Sequence, residues 1–94
     1  MKNNYSQINN IKKIREKRGL TLQALSKLSG ISLQEIHFLE TDKLDLTKMQ
    51  LCNIAKLCDA LKTTPYQLFV DKEFAKSLLT FTRMKYGKKY IAKQ

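Results

Sequence analysis

The sequence predicts an all-α domain, and three observations carry that expectation. The 94 residues contain one proline and three glycines among many Leu, Ile and Lys, a composition that favours helix. Apolar residues recur at three- and four-residue spacing, and no stretch alternates apolar with polar residues as a half-buried strand would. Helix start signals punctuate that periodicity: Ser32-Leu33-Gln34-Glu35, Thr47-Lys48-Met49-Gln50 and Thr64-Pro65-Tyr66-Gln67 each read as a capping box. A chain of this size makes one domain, without internal repeats, and buries roughly 60–65% of its unfolded surface.

Taken in order, residues 1–7 are polar and are expected to form a flexible N-terminus. A first helix is predicted over Ile8 to Arg18, with Ile8, Ile11 and Ile14 inward, lysines outward and Gly19 as its C-terminal cap. A second starts at Thr21 and runs from Leu22 to Ser29, with Leu22, Leu25 and Leu28 at helical spacing; Leu20 and Leu25 staple its start. Gly30 suits the exit, since a chain leaving a helix there needs a positive φ. The third helix runs from Leu33 to Glu40 with Ile36 and Leu39 inward. Ser32 and Glu35 cap it reciprocally, and Ile31 and Ile36 staple it. After a charged connection, TDKLDL, the box at Thr47 opens a fourth helix, stapled by Leu46 and Leu51, whose inward stripe is Leu51, Ile54, Ala55, Cys58 and Leu61. The box at Thr64, with Pro65 in the first turn, starts a short fifth helix carrying Leu68 and Phe69. Asp71 to Tyr86 leaves room for one more, capped by Asp71 and stopped by Gly87. Phe74, Leu78 and Phe81 fall on one side of it, with Leu79 and Thr82 beside them, and KYGKKYIAKQ ends the chain as a basic tail.

Two stapled helices either side of a glycine turn read as a helix-turn-helix, whose second helix is free to enter a DNA major groove. The stretch Leu20 to Thr41 resembles the phage-repressor and Cro type of this motif, the Xre family. Ser26 stands for the small residue in mid-first-helix, Gly30 for the turn, and Ile36 and Leu39 for the two buried residues of the second helix. The likeness continues through Ile11 to Thr21 upstream and Ile54 to Phe69 downstream, about two-thirds of the chain. It implies a five-helix lambda-repressor-like bundle over residues 8–70, with residues 71–94 forming an additional C-terminal helix and the basic tail. It also implies pairing of Arg15 with Glu40, tying the first helix to the end of the third. Three departures stand out: Asp42 replaces the family's usual glycine, the loop after the third helix is longer, and Leu22 replaces a glutamine that often grips a phosphate.

The outward face of helix 33–40 would carry Ser32, Leu33, Gln34, His37, Phe38 and Thr41. By the resemblance, Leu33, Gln34, His37 and Phe38 contact bases. A glutamine amide can pair with adenine N6 and N7, apolar groups pack on thymine methyls, and an imidazole donates or accepts at a base edge or a phosphate. No Arg or Lys stands on this face, so A·T-rich half-sites are expected. Thr21, Lys27, Thr41 and Lys43 are the candidate phosphate contacts, positioning the module without specifying sequence; a merely solvated charge is the other reading of each lysine. Arg15, Gly30, Ser32, Glu35 and Glu40 are assigned structural roles, Glu35 to the capping box.

The formal net charge is +10, with 11 basic and 6 acidic residues over 1–70 and 7 and 2 over 71–94, so the tail is the denser part. Such a balance attracts polyanions, although a lysine-rich solvated surface carries the same signature. The expected function is therefore a DNA-binding transcriptional regulator, a repressor acting as a homodimer on double-stranded DNA. The last helix either covers the bundle or pairs two copies. A rival reading keeps the fold but makes it a protein-interaction module, such as an antitoxin with secondary or no DNA binding; Leu33, Phe38, the altered loop and residues after Asp71 favour it. Nonspecific binding through the basic tail is a third. No nucleophile–base set, phosphate loop or metal spacing is visible, so no enzyme activity, cofactor or metal is expected. Cys52 and Cys58 diverge by about 120° on one helix and suit neither a metal pair nor a disulfide. With no export leader and no membrane-length apolar stretch, the expected location is the cytoplasm.

Overall fold

The structure, a computed structural model, describes residues 5–86, with side chains as far as residue 80. It is all-α among those residues: α1 (Ile11–Lys17), α2 (Leu22–Ser29), α3 (Leu33–Glu40), a 3-10 turn (Leu46–Lys48), α4 (Leu51–Leu61), α5 (Pro65–Leu68) and α6 (Lys72–Tyr86). α2 packs on α3 and α4, α1 on α3, and α5 on α4 and α6. One core draws buried side chains from every helix, among them Ile11, Leu25, Ile36, Leu39, Ile54, Leu57, Leu61, Leu68 and Ala75. Each fully buried Leu or Ile stabilises the fold by roughly 1.5–3 kcal/mol.

α1 begins at Ile11, three residues later than the sequence predicts. Residues 8–10 use their backbone differently: Asn9 bridges Phe69 in antiparallel fashion, Asn10 N donates to Leu68 O at 2.7 Å, and Val70 N donates to Ile8 O at 3.0 Å. A segment paired to the exit of α5 cannot also form a helical turn. Ile11 is fully buried, while Ile8 and Ile14 are half-buried. α1 ends in a Schellman motif, with Gly19 at φ 72 and bonds from Gly19 N to Glu16 O and from Leu20 N to Arg15 O. Of the residues expected in a flexible terminus, the described ones are hydrogen-bonded: Tyr5 through its hydroxyl to Glu16, Ser6 and Gln7 to Asp42. Residues 1–4 lie outside the described part.

Two further expectations are corrected. Leu28 is 63% exposed. The inward face of α2 is Leu22, Leu25, Ser26 and Ser29, and Leu28 stands roughly 100° round the helix from its centre. Thr47 does not cap α4. It lies in the 3-10 turn, where the Asp45 carboxylate accepts from its amide (2.9 Å) and its hydroxyl (2.7 Å). Those bonds hold the Asp45 carboxyl below its usual range. α4 starts only at Leu51, after Gln50, whose side chain makes no capping bond. Its stripe is therefore shifted: Ile54, Leu57, Cys58 and Leu61 are buried, and Leu51 and Ala55 half-buried.

The later elements follow the sequence closely. Thr64 accepts from Gln67 N with Pro65 in the first turn, though the return half of the box is absent because the Gln67 side-chain oxygen accepts from the Thr63 hydroxyl at 2.8 Å; Leu68 and Phe69 are fully buried. Asp71 caps α6 by accepting from Glu73 N and Phe74 N. Phe74 leans on Phe69 with ring centroids 4.9 Å apart, and among the described side chains of α6 Ala75, not Phe74 or Leu78, is fully buried. Leu79 is half-buried. The side chains of Phe81 and Thr82, the stop at Gly87 and the basic tail fall outside the described residues. No helix among the described residues is long and apolar enough to cross a membrane.

Candidate nucleic-acid interface

The turn between α2 and α3 is fixed by three short-range devices. Gly30 takes φ 76 and donates its amide to Ser26 O. The Ser26 hydroxyl donates to Ile31 O at 2.7 Å, so the small residue in mid-helix is also a polar tie across the turn. Ser29 is buried, and its hydroxyl accepts from Ile31 N. Thr21 caps α2 by accepting from Ala24 N at 3.0 Å, which leaves its own hydroxyl proton to donate outward.

α3 is capped by Ser32, which accepts from Glu35 N at 3.1 Å. Only half of the predicted box forms: among the described residues no bond returns from Ser32 N to the Glu35 carboxylate, and Glu35 is half-buried on the first turn. Ile36, Leu39 and Glu40 are buried, whereas Leu33, Gln34, His37 and Thr41 are exposed along the opposite side. Phe38 belongs to that outward side by its angle but is half-buried, because the following loop folds back over it. Lys43 N and Leu44 N both donate to Phe38 O, and the Lys43 ammonium sits 5.7 Å from the centre of the Phe38 ring. The Thr41 hydroxyl donates back to His37 O at 3.0 Å, so it faces outward only as an acceptor. Lys27, in the last turn of α2, and Lys43 are both exposed.

Arg15 holds the end of α3. Its Nε and Nη2 donate to Glu40 Oε2 and Oε1 at 2.7 and 3.1 Å, and its Nη1 donates to Leu20 O at 2.9 Å. The two side chains are 11% and 5% exposed, so the pair is shielded from solvent. The Glu40 hydrogen bond raises the arginine above its ordinary value, against an opposing effect of burial. Asp42 stands at φ 63, the left-handed conformation that a glycine would take freely. Lys43 N to Phe38 O and Asp42 N to Leu39 O close a Schellman turn around it. Leu22, where the family pattern favours a polar grip, instead packs against the core.

Two fastenings of this site are invisible in the sequence pattern. Asn9 is buried, donates Nδ2 to Leu39 O at 3.1 Å and accepts from Ile11 N. Ser6 is buried beside Asp42 and accepts from Ile8 N and Asn9 N. Both lie in a polar run whose only local signal is a serine three residues before an asparagine. That spacing marks a local turn but not the helix it will grip. No group of three or more His, Cys, Asp or Glu among the described residues could hold a metal ion.

Comparison with protein families matches residues 10–73 to the Cro/C1-type HTH DNA-binding domain. Comparisons with curated proteins and with solved structures return no match. The matched span runs from the residue before α1 to the first turn of α6, and so takes in the two helices, the Gly30 turn and the Arg15–Glu40 tie. On a match covering more than half its length, this chain belongs to the Cro/C1-type helix-turn-helix DNA-binding family.

Proposed function

We propose that the chain is a sequence-specific repressor that binds double-stranded DNA as a homodimer, with α3 in the major groove. The observation that carries this reading is the division of α3. Leu33, Gln34, His37 and Thr41 are open on one side, opposite Ile36, Leu39 and Glu40, which the core and Arg15 hold rigid. A base-reading helix needs both properties, an accessible face and a fixed axis. Gln34 pairs with adenine, Leu33 and the exposed edge of Phe38 meet thymine methyls, and His37 bonds a base edge. Thr21, Lys27, Thr41 and Lys43 lie along the phosphates. Two copies, joined through α6, place their α3 helices about one helical turn apart.

The test is selection of bound sites from a random duplex library at near-physiological salt, with Gln34→Ala and His37→Ala carried alongside. The expected result is an A·T-rich motif of two inverted halves with centres about 10 base pairs apart. Gln34→Ala is expected to lose roughly 1–3 kcal/mol of discrimination at one position of each half. Uniform, weak binding without enrichment would sink the reading. The exposure of Leu28 and Leu33 on either side of the turn would then favour the rival, a protein partner docked on that surface.

A further inference from the structure

Asp42 places a carboxylate between Thr41 and Lys43, two exposed residues of the loop that follows α3. Neither of them bonds to that carboxylate; the segment before α1 does. The carboxylate accepts from the Ser6 hydroxyl through Oδ1 and from Gln7 N through Oδ2 at 2.8 Å. Ser6 is buried and saturated: its one proton goes to Asp42, while its oxygen accepts from Ile8 N at 2.9 Å and Asn9 N at 3.0 Å. The segment is itself anchored, by Asn9 to Leu39 O and by Asn10 to Gln67 O and Leu68 O. The hydroxyl that holds Asp42 therefore sits on a braced support.

We infer that Ser6 is a positioning residue for DNA binding, holding the Asp42 carboxylate off the phosphate path that Thr41 and Lys43 approach. This rests on the reading that α3 and its loop face DNA. A left-handed position in this turn is satisfied by glycine without any side chain, so an aspartate there brings a negative charge that must be directed elsewhere. Two neutral donors from a braced segment direct it. Without the Ser6 hydroxyl, and held by the Gln7 amide alone, the carboxylate samples positions beside the phosphates, where like charges repel.

Ser6→Ala in the full chain is expected to weaken binding to the selected duplex roughly fivefold, about 1 kcal/mol, with sequence preference unchanged. Adding Asp42→Gly to Ser6→Ala should restore wild-type affinity, because the charge that needed directing is gone. Asp42→Gly by itself keeps the left-handed turn and should bind as tightly as the wild type. Urea unfolding of each variant identifies any that is not folded under the binding conditions. A tie with a purely structural role gives the opposite pattern, with the double variant no better than Ser6→Ala and Asp42→Gly also impaired; either result, with the fold intact, overturns the inference. Gln34→Ala is run beside them. Weakening there with none in Ser6→Ala overturns the inference and leaves the base-reading assignment standing. Rescue of Ser6→Ala by Asp42→Gly supports the inference even where Gln34→Ala binds normally, and that outcome removes Gln34 from the reading instead.

Discussion

Arg18 and Lys62 meet across the bundle. The Arg18 guanidinium donates to Leu61 O and Lys62 O, each at 2.9 Å, closing the end of α4 with a side chain from the end of α1. Lys62 sits there at φ 53, and Lys62 N to Asp59 O and Thr63 N to Cys58 O complete a Schellman turn around it. A lysine in this conformation is strained by roughly 1–2 kcal/mol, of which glycine's greater freedom in the unfolded chain takes back about half. Lys62→Gly is therefore expected to stabilise the domain by up to about 1 kcal/mol, and it keeps the carbonyl that Arg18 uses. Arg18→Ala should destabilise it by about 1 kcal/mol, since charged hydrogen bonds at a partly exposed site are worth less than buried ones. Urea midpoints at constant m-value would measure both.

The Arg15–Glu40 pair predicts a different kind of mutational pattern. Removing one partner by Arg15→Met or Glu40→Leu leaves the other charge in a shielded site and should cost about 3 kcal/mol or more. The double substitution removes both charges and should be closer to the wild type than either single variant. A double-mutant cycle in urea reads this directly. Additive losses would mean that the two side chains contribute independently.

The two cysteines should differ sharply in reactivity. Cys52 is exposed, whereas Cys58 is buried and its thiol is pushed up to about 12, chiefly by burial and secondarily by Asp59. At pH 8 a disulfide reagent should modify one thiol rapidly and the second only when urea is added. The same shift makes stability fall in alkali. Above pH 9 the unfolded thiol loses its proton while the folded one keeps it, so the unfolded state binds fewer protons and unfolding becomes easier as pH rises towards 12. Cys58→Val should remove that component of the alkaline loss. An unchanged slope between pH 9 and 11 would rule it out.

How much was legible in the sequence depended on how local each determinant is. Thr21, Ser32, Thr64 and Asp71 announce helix starts because a cap is satisfied within three residues. Thr47 misled for the same reason: its local pattern was a good box, but Asp45 two residues earlier competes for its amide and wins. Leu28 misled because periodicity identifies a stripe without fixing its centre, and close packing of α2 gives the inward places to Ser26 and Ser29. The late start of α1 is set by Leu68 and Val70, 58 and 62 residues from their partners Asn10 and Ile8, and no window around Ile8 contains them. At the candidate interface, the open residues of α3 were legible from helical angle. The covering of Phe38 by the loop, and the grip of Ser6 and Asn9 on that end of α3, are tertiary.

The pairing of Asn9 with Phe69 also bears on how the domain comes into being. Asn10 reaches Gln67 across 57 positions, so the segment that braces α3 is completely fastened only after α5 exists. In a chain emerging from the ribosome, α1 through α4 can form early and Ser6, Gln7 and Asn9 can reach Asp42 and Leu39 once α3 exists, but the bonds of Asn10 and the bridge of Asn9 wait until Phe69 has been made. Closing so long a loop late is a slow, non-local step. The complete bracing at the end of α3 should accordingly be among the last features to mature during synthesis.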